Sequence, residues 1–155
     1  MDVLRLLHDK VNFEFYFFGS SEGQVIDEIL KHDFVKSVSV LPRKRLLREL
    51  RAMDAMIFPT RAEGMSRAVM ECLSIGLPVF TTKFSGCKDM LLSDNRVTFE
   101  IDLDARTIVV EILKYLELPL ADRLSLSRMI KSKLAPYSWA NHWEKNRQLY
   151  AAICS

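Results

Sequence analysis

Two carboxylates set the chemical question. Glu63 and Glu71 stand eight positions apart in the stretch EGMSRAVMECLSIGLPVFTT, residues 63 to 82. Glu63 falls in a polar turn, and Gly64 after it lets a backbone pass close to a ligand with no Cβ in the way. Ser66 suits a helix N-cap, and the first N–H groups of that helix, at the positive end of its dipole, can receive a diphosphate. Arg67 stands where the dipole disfavours a cation, a hint of an anion nearby. Glu71 lies about a turn and a half into the helix, where a carboxylate can accept two hydrogen bonds from neighbouring hydroxyls such as those of a ribose. Gly76 and Pro78 end the helix. The unit suits a nucleoside diphosphate attached to something polyhydroxylated. Ordinary βαβ grammar supplies the same residue types: a surface Glu in a loop, another on a helix, and Gly-x-Pro as a stop.

The elements that must position these residues read as strands alternating with helices. FEFYFF (13–18) is a short aromatic strand ending at Gly19, followed by a helix over EGQVIDEILKH. VKSVSVL (35–41) is a β-branched strand stopped by Pro42, and RKRLLRELRAM carries Leu46, Leu47, Leu50 and Met53 at helical spacing. AMIFP (55–59) and PVFTT (78–82) are further strands, FSGCKDMLL a loop into a short helix, and RVTFEI (96–101) a last weak strand. From Asp104 onward three helical segments follow. Such alternation predicts one α/β domain, Rossmann-like, with a mostly parallel sheet flanked by helices. Ligands of these sheets bind beyond the carboxyl ends of the strands, which picks out the loops after Gly19, Leu41, Pro59 and Thr82.

Composition excludes several classes. A chain of 155 residues, 49% hydrophobic and 27% charged, is long enough for one buried core. A net charge of +2 carries no nucleic-acid claim. No apolar run approaches the ~20 residues of a membrane helix, and no signal peptide is visible. Cys72, Cys87 and Cys154 lack metal-ligand spacing and read as reduced thiols of a cytoplasmic protein, with no His placed to activate any of them.

The ordered series of motifs resembles the donor site of retaining glycosyltransferases of glycosyltransferase family 4. EGMSRAVMECLSIGLPVFTT followed by FSGCKDML is similar to that family's Glu-Gly, second Glu, Gly-x-Pro-Val and Gly-Gly-acidic signature. FEFYFFGS, VSVLP, LLRELRAMDAMIFPTRAEG and the closing YSWANHWEKNRQLY extend the likeness over nearly the whole chain. The resemblance implies the C-terminal half of a GT-B fold and transfer of a hexose, with retention, from a nucleotide-diphosphate sugar to a glycan or lipid-linked acceptor. Glu71 would hold the ribose hydroxyls, and Glu63 would lie by the donor sugar as the candidate catalytic carboxylate. Backbone N–H groups of Gly64, Met65, Ser66 and Arg67 would face sugar and diphosphate, with Gly19 in the neighbouring glycine loop and the loop after Leu41 against the base. The resemblance implies no metal and no cofactor beyond the nucleotide sugar.

The departures are equally specific. Ser85 stands for the first glycine of Gly-Gly, Asp89 for the acidic residue, and Cys72 for a usual Ala. The family's first C-domain strand, with its diphosphate-holding Arg and Lys, and its N-terminal acceptor domain are expected to be missing from residues 1–155. In a strand order of 3-2-1-4-5-6 that strand would be central, between the first and third strands here. Either those strands close up, or another chain or segment fills the place. A scaffold module that keeps the fold without transferase activity is the alternative of a different class, and a receiver-like domain is disfavoured because no strand ends in Asp.

Arg43, Lys44, Arg45, Arg48 and Arg51 form a basic cluster. It reads as a solvated helix face, against contact with an anionic membrane at its inner surface or with donor phosphates through Arg43 or Lys44. Surface or packing roles are expected for His8, His32 and His142. Tyr137, Trp139, Trp143 and Tyr150 are expected to pack on the domain or on an acceptor domain.

Overall fold

The computed structural model describes residues 2–19, 24–60, 62–82, 86 and 104–153. The expected loop and helix with Lys83, Ser85, Cys87 and Asp89, the strand over 96–101, and Ser20, Ser21, Arg61 and Cys154 lie outside the described residues.

The observed order is α1 (Asp2–His8), β1 (Phe15–Phe18), α2 (Gln24–Ile29), β2 (Val35–Ser39), α3 (Arg43–Leu50), β3 (Met56–Phe58), α4 (Arg67–Ser74), β4 (Val79–Thr81), α5 (Ala105–Leu116), α6 (Leu120–Leu134), a 3-10 turn (Ala135–Tyr137) and α7 (Trp139–Ile153). Strand and helix alternate through β4, as the periodicity predicts. β1 pairs with β2 in parallel, Tyr16 opposite Ser37 and Phe18 opposite Ser39, with a register irregularity between Phe15 and Tyr16. β3 pairs with β4 in parallel, Met56 opposite Val79 and Phe58 opposite Thr81. Among the described residues the pairs do not merge into one sheet, because β1 and β3 do not hydrogen-bond to each other. A cavity of about 1460 Å³ separates them, lined by residues 11–19 on one side and 52–59 on the other.

The core gathers where β4 is enclosed. Val79 and Phe80 are fully buried, and Val69, Cys72 and Leu73 of α4, Ile108, Val109 and Ile112 of α5, and Leu126 and Ile130 of α6 pack around them. Tyr115 meets Phe80 edge-on at 5.8 Å and donates its hydroxyl to the carbonyl of Asp54 at 3.0 Å. That bond gives a buried phenol its partner and ties α5 to the turn before β3. Gly76 closes α4 at φ +79°, with Leu77 N–H donating to Cys72 O and Gly76 N–H to Leu73 O. This is the Schellman arrangement, which the Gly-x-Pro sequence anticipates.

One expectation needs correction. α7 buries nothing, Trp139 and Trp143 are 85% and 70% exposed, and Tyr137 and Tyr150 are exposed as well. Packing of that aromatic face on this domain is therefore overturned: α5 and α6 already enclose β4. His8 and His32 do pack, their rings 4.9 and 5.0 Å from buried Phe34, whereas His142 is exposed beside Trp139.

Candidate functional site

α4 positions the site. Ser66 is its N-cap, its hydroxyl accepting a long hydrogen bond, 3.5 Å, from Val69 N–H while its carbonyl accepts from Met70 N–H. The N–H groups of Arg67 and Ala68, the next donors at this helix start, have no partner among the described residues. Arg67 is exposed, so its charge stays in water at the positive end of the helix.

Glu71 sits one turn further on and is only 9% exposed. Its Oε1 accepts from Arg43 Nε at 2.6 Å, a short charge-assisted hydrogen bond. Arg43 is the first residue of α3, directly after the Leu41–Pro42 loop, and its side chain is 73% exposed. The cation thus reaches inward from solvent to a carboxylate held by the scaffold. This corrects the reading of the basic cluster as a uniformly solvated face: Arg45 and Arg48 remain on the surface beside Glu49, while Arg43 turns to the site. Sequence reasoning placed the Leu41 loop and Glu71 at one ligand without pairing these two residues. Arg43's position immediately after that loop was the signal.

Glu63, Gly64 and Met65 form an exposed turn between β3 and α4. A Cβ built on Gly64 meets nothing within 4 Å, so one side of the turn faces free space. Gly86 donates its N–H to Glu63 O at 2.9 Å and to Gly64 O at 3.1 Å. A Cβ on Gly86 would lie 2.7 Å from Gly64 O and 2.9 Å from Gly64 C, closer than a side chain tolerates. Gly86 is therefore the residue of the Ser85–Gly86 pair whose lack of a side chain the structure requires. The base of the turn is tied as well: Thr81 Oγ1 donates to Phe58 O at 2.9 Å and Thr82 Oγ1 to Thr60 O at 2.6 Å. Gly19 ends β1 at the cavity, whose lining also includes Glu71.

The chemistry on view is binding chemistry. Cys72 is buried, with Sγ 3.2 Å from Met56 Sδ, and burial, reinforced by Glu71, pushes its thiol up to about 12. It stays protonated and unreactive at neutral pH. Among the described residues no group of three or more His, Cys, Asp or Glu could hold a metal ion, and no helix is long and apolar enough to cross a membrane. What remains is a buried carboxylate with a solvent-exposed cation bonded to it, helix-start donors, and an unfilled side of the Gly64 turn.

Known proteins give this arrangement a context. Residues 1–117 match the family described as "Glycosyl transferases group 1". No curated protein matches the sequence. The catalytic domain of cholesterol-alpha-glucosyltransferase from Helicobacter pylori is similar at TM-score 0.75 and 17% identity, over 88% of this chain and 87% of that one. Sucrose-phosphate synthase from Thermosynechococcus elongatus is similar at TM-score 0.74 and 18% identity, over 97% of this chain and 42% of that one. OtsA is similar at 0.71 and 15%, over 92% of this chain and 37% of its own length. At these identities the likeness carries the fold: short parallel strands flanked by helices, as in GT-B glycosyltransferases.

Proposed function

The chain belongs to the glycosyl transferases group 1 family, and from that membership we propose that it is the donor-binding domain of a family 4-type retaining glycosyltransferase. Glu71 accepts from the paired ribose hydroxyls of a nucleotide-diphosphate sugar. The diphosphate lies over the N–H groups that open α4, and the sugar occupies the free side of the Gly64 turn beside Glu63. The Leu41 loop packs against the base, and Gly19 borders the same space. Arg43 holds Glu71 ionised-side outward until the ribose arrives, then shares the carboxylate with it. In the reaction the bond from the anomeric carbon to the diphosphate breaks, one to the acceptor oxygen forms on the same face, and the acceptor hydroxyl's proton passes to the departing diphosphate. Backbone donors stabilise the charge developing on the departing diphosphate, so neither metal nor cofactor is required in this reading.

The observation that carries the reading is the buried Glu71 one turn above helix-start donors that have no partner among the described residues. The Helicobacter pylori enzyme, named for a glucosyl group and for cholesterol, favours a hexose donor and a lipid acceptor here. The exposed Arg45 and Arg48 then suit contact with the inner face of a membrane from the cytoplasm, with an acceptor-binding domain or chain supplying the other substrate. Calorimetric titration with UDP, GDP and their hexose conjugates, repeated on Glu71→Ala, tests it. One nucleotide is expected to saturate the folded chain and to lose at least about tenfold in affinity in the variant, the worth of one charge-assisted hydrogen bond. Equal binding by wild type and variant overturns the assignment of Glu71. The alternative, a binding or scaffold module without transferase activity, is distinguished by adding an acceptor domain in trans: association with no sugar transfer favours it.

A further inference from the structure

Arg43 uses only part of its hydrogen-bonding capacity on Glu71. Its guanidinium donates to Glu71 Oε1 through Nε alone, at 2.6 Å. The two Nη groups of the same planar fork have no partner among the described residues, and the side chain is 73% exposed. The Glu71 side chain is only 10% exposed, so a ligand group that reaches its carboxylate arrives beside the guanidinium. We infer that Arg43 is itself a ligand contact: its Nη groups donate to the oxygens of the same vicinal diol whose protons Glu71 accepts. Arg43 is then a residue that selects an intact ribose. This rests on Glu71 taking the ribose, as proposed above.

The paired charges define the class of group that fits. An anion entering here meets the Glu71 carboxylate, and a cation meets Arg43, each at a like charge. A neutral hydroxyl meets no such repulsion, and it both donates and accepts. Its proton goes to Glu71 and its oxygen takes an Nη hydrogen. An ionised carboxylate has about four acceptor sites, of which Arg43 occupies one. Ion pair and diol therefore bind together, and the pair need not break. The two residues stand on helices that pack on each other, Arg43 at the start of α3 and Glu71 within α4. The scaffold thus sets the spacing of donor and acceptor before a ligand arrives. Lysine cannot do the same, because an ammonium lacks the planar fork that bonds a carboxylate through one nitrogen and a ligand through others.

Calorimetric titration of the full chain with UDP and GDP, against their 2′,3′-dideoxy forms, tests this role. Wild type is expected to prefer the ribonucleotide about a hundredfold or more, since both residues make charge-assisted bonds to the diol. Arg43→Met removes the guanidinium, and Arg43→Lys keeps the charge without the fork. Each is expected to lower ribonucleotide affinity about tenfold and to leave dideoxynucleotide affinity within about twofold. Urea denaturation checks that both variants fold, as the exposure of the side chain leads one to expect. Equal loss on both nucleotide forms, no loss, or tighter binding by the variants overturns the inference, the last making Arg43 a competitor for Glu71. A wild type whose preference is lost in Glu71→Ala and kept in both Arg43 variants leaves the donor-site reading standing and removes Arg43 alone. A wild type that binds neither form, or both equally, removes both.

Discussion

Gly76→Ala probes whether the close contact of α4 with α6 is as tight as it looks. Gly76 has φ +79°, and a Cβ there would lie 2.8 Å from the carbonyl oxygen of Ser127 and 2.7 Å from Lys131 Cε. The lysine can swing away, but the Ser127 carbonyl belongs to the α6 backbone. Left-handed strain costs about 1–3 kcal/mol for a residue with a side chain. Displacing α6 enough to admit a methyl costs about 1–3 kcal/mol more. The sum, roughly 2–6 kcal/mol, is a large share of the ~5–15 kcal/mol that holds a domain folded. At about 2–4 °C per kcal/mol for a chain of this length, Tm falls by roughly 4–24 °C. Urea denaturation at constant m measures it directly. Gly76→Asn separates the two contributions, since Asn tolerates the left-handed region but keeps the overlap. Because the contact lies away from Glu71, nucleotide affinity of the folded variant should stay within about twofold. A loss of stability below about 1 kcal/mol for Gly76→Ala would refute the packing argument.

Three further outcomes follow from the same geometry. Gly86→Ala should cost about 1–3 kcal/mol and weaken nucleotide binding, because its Cβ pushes on Gly64, whereas Gly64→Ala should leave urea stability within about 0.5 kcal/mol and weaken binding alone; equal stabilities would refute the contact. Cys72 should resist alkylation at pH 8 until the chain unfolds, followed by mass spectrometry. Its raised pKa adds stability that is complete below the unfolded value of 9.0 and is lost as pH rises toward 12; rapid native labelling would contradict its burial. A double-mutant cycle of Arg43→Ala and Glu71→Gln should give a coupling of about 0.5–1 kcal/mol, discounted for the exposure of the arginine; additivity would mean that the 2.6 Å bond contributes nothing in solution.

Local grammar was legible and long-range partnership was not. The caps of α4 follow from Ser66 and from Gly76 with Pro78, because capping is decided within a few residues. The strands followed from short β-branched and aromatic runs bounded by Gly or Pro. By contrast, the Arg43–Glu71 pair joins residues 28 positions apart, and no periodicity encodes such a meeting. α7 misled for a related reason. Its aromatic residues look like a buried stripe, yet a face is buried only if another element arrives to cover it, and among the described residues none does. Whether the strands around the expected gap close up was left open by the analogy of strand order; among the described residues they stand as two pairs. Its physical sign, half-buried β1 and β3 beside a wholly buried β4, is visible only in three dimensions.

The threonines at the end of β4 have a consequence for timing. Thr82 anchors the chain at Thr60, and Gly86 anchors it again at Glu63 and Gly64. Thr60, Glu63 and Gly64, between β3 and α4, are therefore each tied to the chain that follows β4 before any ligand arrives. Ordering a free residue costs roughly 1–2 kcal/mol, so a turn already fastened spares the arriving ligand several such penalties. Capture at this turn should then run at the pace of encounter, with no slower step of loop rearrangement behind it.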